Sequence, residues 1–264
     1  VKKLLSISFF ICLILLSALS WAADESPVGL VVIDPGHGGI DRGAIGPDGL
    51  KEKDLTLMVA KRLATILKNK YGFMVALTRE DDTYVPLEKR TAMANSLGAS
   101  LFISIHVNAA LSPRPKGVET FFLSYDATDE EAVRLAAVEN GFDPSKTGIK
   151  YEFNNDLKTT LLDLLETAAH HESSTLAEAV HTSIIRITRR DDRGVRQAPF
   201  AVLDGATMPA VLVELGFISN RSDEQWLRSK EGAALAARSI ALGIADFENR
   251  TGMEVKRAGF EKHD

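Results

Sequence analysis

Cysteine is almost missing from this chain: Cys12 is the single one in 264 residues. It lies inside the apolar run from Leu4 to Leu19, so nothing after that run can form a disulfide, a thiolate metal site or a cysteine nucleophile. Ile11 precedes it, where lipid attachment would need a small residue. Long apolar runs are equally scarce. Leu4–Leu19 is the one extended example, and it falls short of the roughly 20 residues that span a bilayer. An excess of basic residues is also lacking, with 31 Lys and Arg against 36 Asp and Glu. That balance argues against sequence-independent binding of nucleic acid. Internal repeats and a Pro/Ser-rich linker are absent too.

What is present is an ordinary globular balance, 45% hydrophobic and 25% charged. Lys2 and Lys3 lead into the apolar run, and Ser20 and Ala22 suit the −3 and −1 positions of a signal-peptidase site. Residues 1–22 therefore read as a signal peptide, leaving 23–264 as one domain. Cleavage removes two lysines and no acid, taking the formal charge from −5 to −7. The mature protein is expected to have no stable membrane span and to be exported.

Beyond the leader, apolar runs alternate with amphipathic stretches. Residues 29–36, 73–79, 100–106, 117–124, 200–204 and 209–219 read as strands. Residues 52–72, 86–99 and 223–249 read as helices, the last with a break near Gly232. The pattern predicts a single α/β domain with a mixed, mostly parallel twisted sheet flanked by helices on both faces. The helix-rich stretch 126–172 interrupts the rhythm and reads as an insertion. A polar tail follows about residue 250.

Chemistry in such sheets gathers at the strand carboxyl ends. His37 follows the first strand in the glycine-rich "DPGHGGIDRGAIG", and His106 ends another in "FISIHVN". Glu52 opens the helix after the glycine loop. Two histidines and a carboxylate make a common catalytic zinc shell with an open position. The glycines would let the backbone turn sharply and leave room for a bulky substrate. Spacing alone does not make these three a site, and each histidine by itself could be an ordinary hydrogen-bonded residue. Glu214, in "PAVLVELGFISN", is the candidate base, since a carboxylate in an apolar strand is costly unless paired or working. The bland alternative is a structural pair with an arginine. Glu119 is a second acid at a strand position, suited to orienting a ligand or a substrate amide. His170 and His171 are adjacent on a helix and cannot easily share a metal.

The motifs resemble, in order, those of the zinc-dependent N-acetylmuramoyl-L-alanine amidases of the amidase type 3 family. "IDPGHGGIDRGAIG", Glu52 in "KEKDLTL", "LTR", "KRTAMAN", "SIHVNA", "GVETFFL", "SSTLA", "RGVRQAPFAVL" and "MPAVLVELGFISN" span nearly all of 29–250. The resemblance implies one Zn2+ per chain on His37, Glu52 and His106, with Glu214 as the catalytic carboxylate. It implies hydrolysis of the amide joining the lactyl group of N-acetylmuramic acid to L-alanine in peptidoglycan, in wall remodelling and daughter-cell separation. Arg79 and Asn108 fall in its motifs, as ligand-orienting or substrate-contacting groups. The protein is then expected to be a monomer, periplasmic in a diderm cell and otherwise secreted or wall-associated. In the division amidases of diderm bacteria a helical insertion at about this place covers the zinc until a LytM-domain activator releases it. Here Glu130, Glu131 and Glu139 are the candidate blocking residues. A zinc carboxypeptidase is the competing enzyme, but its His-x-x-Glu would need an acid where Ile40 stands. A catalytically dead wall-binding module would typically have lost one of the four groups.

Overall fold

The computed structural model describes residues 29–141 and 160–252, with the backbone alone for 160–168. The expected signal peptide, the end of the tail and residues 142–159 of the expected insertion lie outside the described residues.

Strand β1 (Leu30–Pro35) leads through the glycine loop into helix α1 (Glu52–Ile66). Leu55, Val59 and Leu63 recur one turn apart on its buried face, and Glu52 and Asp54 complement the dipole of its first turn. The helix widens into a π-helical segment, Leu67–Tyr71, and stops at Gly72 in the left-handed conformation. Then come β2 (Met74–Leu77), α2 (Leu87–Ser96), β3 (Leu101–Asn108) and β4 (Val118–Leu123). Helix α3 (Glu130–Glu139) is capped by Asp129, whose side chain accepts from the amides of Glu131 and Ala132. The chain closes with α4 (Thr160–Thr188), β5 (Asp192–Ala198), β6 (Ala210–Phe217), α5 (Arg221–Arg228) and α6 (Lys230–Thr251).

Six strands form one sheet in the order β2-β1-β3-β6-β4-β5. Only the β4–β6 pairing is antiparallel. Alternation along the strands sorts side chains to two faces. Val31, Ile33, Ile103, Ile105, Val211 and Val213 meet α1, α4 and α6 in the larger core. Val32, Phe102, Phe121 and Leu212 face α2, α3 and the segment around Phe200. The predicted helices on both faces are thus present.

One expectation is corrected. Residues 200–204 form turns rather than a strand, and the strand in that region is β5, just before them. β5 is an edge strand with the sequence DRGVRQA, whose charged residues hide it from a search for apolar runs. The expected break near Gly232 in the C-terminal helical stretch falls at Ser229. The Ser229 hydroxyl accepts from the Gly232 amide 2.9 Å away and so starts α6.

Gly243 marks where α6 and α4 approach most closely. A Cβ there would lie 2.5 Å from the Cα of Val180. Alanine in a helix ordinarily gains about 1 kcal/mol over glycine. Here the obstacle is backbone, so overpacking wins. Gly243→Ala is expected to destabilise the fold by about 1–3 kcal/mol in a denaturant melt. An unchanged or raised midpoint would contradict this packing.

Candidate metal centre

Strand polarity builds the site. On the smaller-core face, His106 of β3 lies in register with Glu214 of β6, which lies in register with Glu119 of β4. Three chemistry-bearing side chains therefore stand in a row across adjacent strands. Glu52 reaches over the edge from the first turn of α1. Its Oε1 accepts from the Val107 amide (2.9 Å) and its Oε2 from the Ala44 amide (2.9 Å).

His37 adopts φ 61°, left-handed backbone that a side-chain-bearing residue rarely takes. Its Nδ1 pairs with Asp41 Oδ2 at 2.9 Å, which turns Nε2 toward Glu52. The loop is anchored by two buried arginines. Arg90 donates to Asp34, to the Pro35 carbonyl and to the His37 carbonyl. Arg79 donates to the carbonyls of Pro35, Gly36 and Lys53. Asp34 is wholly buried. Burial pushes its carboxyl up, but Arg90, Thr78 and Ser104 outweigh that and hold it below the usual carboxylate range.

The space at two loop glycines is used by the cluster itself rather than left open. A Cβ on Gly36 would meet the His106 ring at 2.5 Å. One on Gly43 would meet Glu52 Oε2 at 2.6 Å and His37 Cδ2 at 2.7 Å. These glycines let the side chains converge.

The convergence includes one group from α3. His37, Glu52, His106 and Glu139 each offer a nitrogen or oxygen, all within 4.8 Å of one another. Glu139 Oε2 lies 2.9 Å from His106 Nδ1 and 3.5 Å from His37 Nε2. His37 Nε2 is also 3.0 Å from Glu52 Oε2. Yet His37 Nε2 and Glu139 Oε2 are buried without an aligned hydrogen bond. Both atoms belong to the group whose donors lie within 4.8 Å of one another. Two imidazoles and two carboxylates suit a borderline divalent cation.

Charge gives the same fit. Burial lowers the affinity of His37 for a proton, but Glu52, Asp41 and Glu139 outweigh it, raising its pKa to about 10. Burial likewise opposes charge on His106, and Glu139 and Glu52 raise it to about 10. Burial also works against a charged Glu52, but the two histidines hold it well below the ordinary carboxylate range. Replacing two imidazolium protons by one divalent cation leaves the cluster's charge unchanged.

Glu214 is wholly buried, and neither of its oxygens has a partner. Burial, then Glu139, Glu52 and Glu119, raise its pKa well above that of an ordinary glutamate. It has no arginine partner, so the structural alternative raised from the sequence does not hold. Glu119, by contrast, is saturated. It accepts from Asn108 Nδ2 (2.9 Å), Arg193 Nε (2.9 Å) and Arg196 Nη1. Asn108 and Arg79 are likewise buried and engaged within the fold. Of the three candidate acids on the insertion, only Glu139 enters the cluster. Glu130 is solvent-exposed near Arg134, and Glu131 pairs with Arg193 (2.8 Å).

The sequence alone assigns no role to Asp41, Arg90, Arg193, Arg196 or Asn140. Asp41 carried a usable signal, four residues after His37. Asn140 donates to the Pro199 carbonyl and accepts from the Ala201 amide, which fastens the end of α3 beside the cluster.

The fold is a mixed α/β sheet, and its strand ends bring together four residues that could hold a metal ion. The family described as N-acetylmuramoyl-L-alanine amidase matches residues 31–246, and this chain belongs to that family. The amidase AmiA of Escherichia coli K12 is 36% identical over 233 residues, covering 86% of this chain and 80% of that protein. The amidase AmiC of Escherichia coli O6:H1 is 35% identical over 86% of this chain, which spans 54% of that protein's length. The solved structure of AmiC2 from Nostoc punctiforme aligns with a TM-score of 0.65 and 33% identity, over 85% of this chain and 99% of that one.

With the pKa of both imidazoles raised to about 10 by the carboxylates around them, loading at pH 7 should expel protons. Calorimetric zinc titrations of metal-free protein in buffers of different ionisation enthalpy read that release, and a buffer-independent heat would contradict it. The sign for stability follows. Raised imidazole pKa values stabilise the metal-free fold fully below about pH 6.5, and that contribution is lost as pH rises through about 10. The melting temperature of metal-free protein should therefore fall between pH 7 and 10 more than that of loaded protein.

Proposed function

We propose that the chain is a zinc-dependent peptidoglycan hydrolase that cleaves the amide between the lactyl group of N-acetylmuramic acid and L-alanine. The observation that carries this reading is the convergence of His37, Glu52 and His106 above the unpartnered Glu214. Family membership supplies the substrate class. The substrate lies outside the cytoplasmic membrane, so export guided by residues 1–22 fits. Among the described residues no helix is long and apolar enough to cross a membrane.

His37, Glu52 and His106 would hold the cation, and Asp41 fixes the ring of His37. Zinc bound there would supply Lewis-acid polarisation of the scissile carbonyl and a water acidified toward neutrality. Glu214 takes a proton from the attacking water and returns it to the departing amine of L-alanine. Its raised proton affinity suits a group that must both accept and give. Arg79 and Arg90 hold the loop that positions His37.

Helix α3 keeps the enzyme shut. Glu139 takes the position that a substrate carbonyl or water needs. Ala132, Leu135 and Ala136 seat the helix in the smaller core, and Asn140 pins its end. Val133 and Val138 remain exposed on its outer side, an apolar handle for an activating partner such as a LytM-type domain. Daughter-cell separation is the role that fits an enzyme kept closed until recruited.

Digestion of purified peptidoglycan by protein lacking residues 1–22, read by mass spectrometry, tests both parts. Free stem peptides beginning with L-alanine are expected, and cuts at glycosidic or other peptide bonds would contradict the reading. Glu214→Gln should lower the rate by about 10²–10⁴-fold with zinc content retained. Glu139→Gln should raise it at least about tenfold, since it removes a charged contact from the closed state. A rate unchanged by Glu139→Gln would remove the blocking role and leave the hydrolase assignment standing.

A further inference from the structure

Next to the metal cluster lies a pair of arginines that the hydrolytic chemistry does not use. Arg193 and Arg196 project from β5, and both donate to the same carboxylate oxygen of the wholly buried Glu119. Glu119 stands directly opposite Glu214 in the β4–β6 ladder, and the arginines reach it from β5 on the other side of β4, two strands from Glu214. Two strand spacings are about 10 Å, a separation that two groups of one extended peptide substrate can span.

One carboxylate cannot neutralise two guanidinium groups. The rest of the compensation comes from the first turn of α3. Arg196 Nη2 binds both oxygens of Asp129, and Arg193 Nη2 donates to Glu131 Oε1 at 2.8 Å. Arg196 Nη1 is also 3.5 Å from Glu131 Oε2. Each guanidinium also lies over an aromatic ring, Arg193 5.0 Å from the centroid of Phe217 and Arg196 5.7 Å from that of Phe121. The ring contacts and the shared Glu119 oxygen fix both forks in place, with their remaining donors on the carboxylates of Asp129 and Glu131. If α3 lifts away, as the proposed function requires, Asp129 and Glu131 leave with it. A net positive, preoriented pair is then uncovered beside the reaction centre.

We infer that Arg193 and Arg196 form a carboxylate-binding subsite for the peptide part of the substrate, occupied here by Asp129 and Glu131 as internal stand-ins for it. The inference rests on the reading of α3 as a removable cover. It makes the cover a substrate mimic at two points: Glu139 at the metal cluster, and the capping turn at the arginines. Guanidinium forks match carboxylates in shape as well as charge, which favours an acidic peptide over a sugar hydroxyl. The cover and an acidic stem peptide then compete for the same two side chains.

The test uses two soluble probes, N-acetylmuramoyl-L-alanyl-D-glutamic acid and its α-amide, with the zinc-loaded chain. Glu214→Gln in every protein keeps the probes intact, and Glu131→Gln with Glu139→Gln loosens α3. The acid should bind at least about tenfold more tightly than the amide, the scale of one charge-assisted contact. Arg193→Gln should bring the two affinities within about twofold by weakening the acid alone. Arg193 is the more exposed of the pair, and Arg196→Lys provides a second variant that keeps the charge but loses the fork. The ratio of the two affinities cancels any change in the folded or open fraction. Equal binding of the two probes, no binding of either, or a preference that survives both arginine variants would overturn the subsite. Wall digestion by the Glu131→Gln, Glu139→Gln protein with Glu214 intact reports on the cover separately. Raised digestion without a carboxylate preference sinks the subsite alone, whereas unraised digestion with a preference sinks the cover alone.

Discussion

Buried charge at one edge of the sheet is the constraint to which the rest of the structure answers. Glu52, Glu119, Glu139 and Glu214 are carried close together with His37 and His106, largely out of water. Charges in such a setting must be paired, protonated or bound to a cation. Each carboxylate meets the requirement differently. Glu119 takes two arginines and an asparagine, and Glu52 takes backbone amides and both imidazoles. Among the described residues Glu214 has no hydrogen-bond partner, and burial with the neighbouring carboxylates raises its proton affinity. Side chains of one residue type thus meet three different environments.

The scaffold beneath serves the same end. Parallel β1 and β3 deliver His37 and His106 to one edge, and β6 and the antiparallel β4 set Glu214 and Glu119 beside them. Arg79 and Arg90 spend most of their donors on loop carbonyls. They hold His37 in left-handed backbone that it would not adopt alone. Helix α3 completes the enclosure. It is fixed at its start by Arg193 and Arg196 and at its end by Asn140, with Glu139 lowered between them. Between those polar anchors Ala132, Leu135 and Ala136 seat it on the smaller core.

Much of this could be read from the amino-acid order. Apolar strands leading to His37 and His106 located two members of the possible metal-binding group, and the buried strand around Glu214 marked the candidate base. The alternation of strands and helices predicted the sheet and its two covered faces. What escaped has physical causes. β5 is an edge strand rich in charge, so it carries no apolar signature. The turns at 200–204 bury Phe200, Val202 and Leu203 and so imitate a strand. Glu130, Glu131 and Glu139 could not be told apart, because their fates depend on how α3 is rotated against the sheet. Arg193 and Arg196 lay in a motif of the family resemblance, but only the fold brings them to Glu119 and to the capping turn of α3.

The central claim is that one divalent cation is gathered by two imidazoles and the carboxylate of Glu52, with Glu139 closing the remaining position. Zinc-edge X-ray absorption on the purified full chain tests it most directly. The account predicts one zinc per chain with two imidazole nitrogens and two carboxylate oxygens at about 2.0–2.2 Å. In Glu139→Gln protein the carboxylate contribution of Glu139 should be lost while both imidazoles remain. A chain that binds no zinc, or one whose zinc shell lacks imidazole, would contradict it.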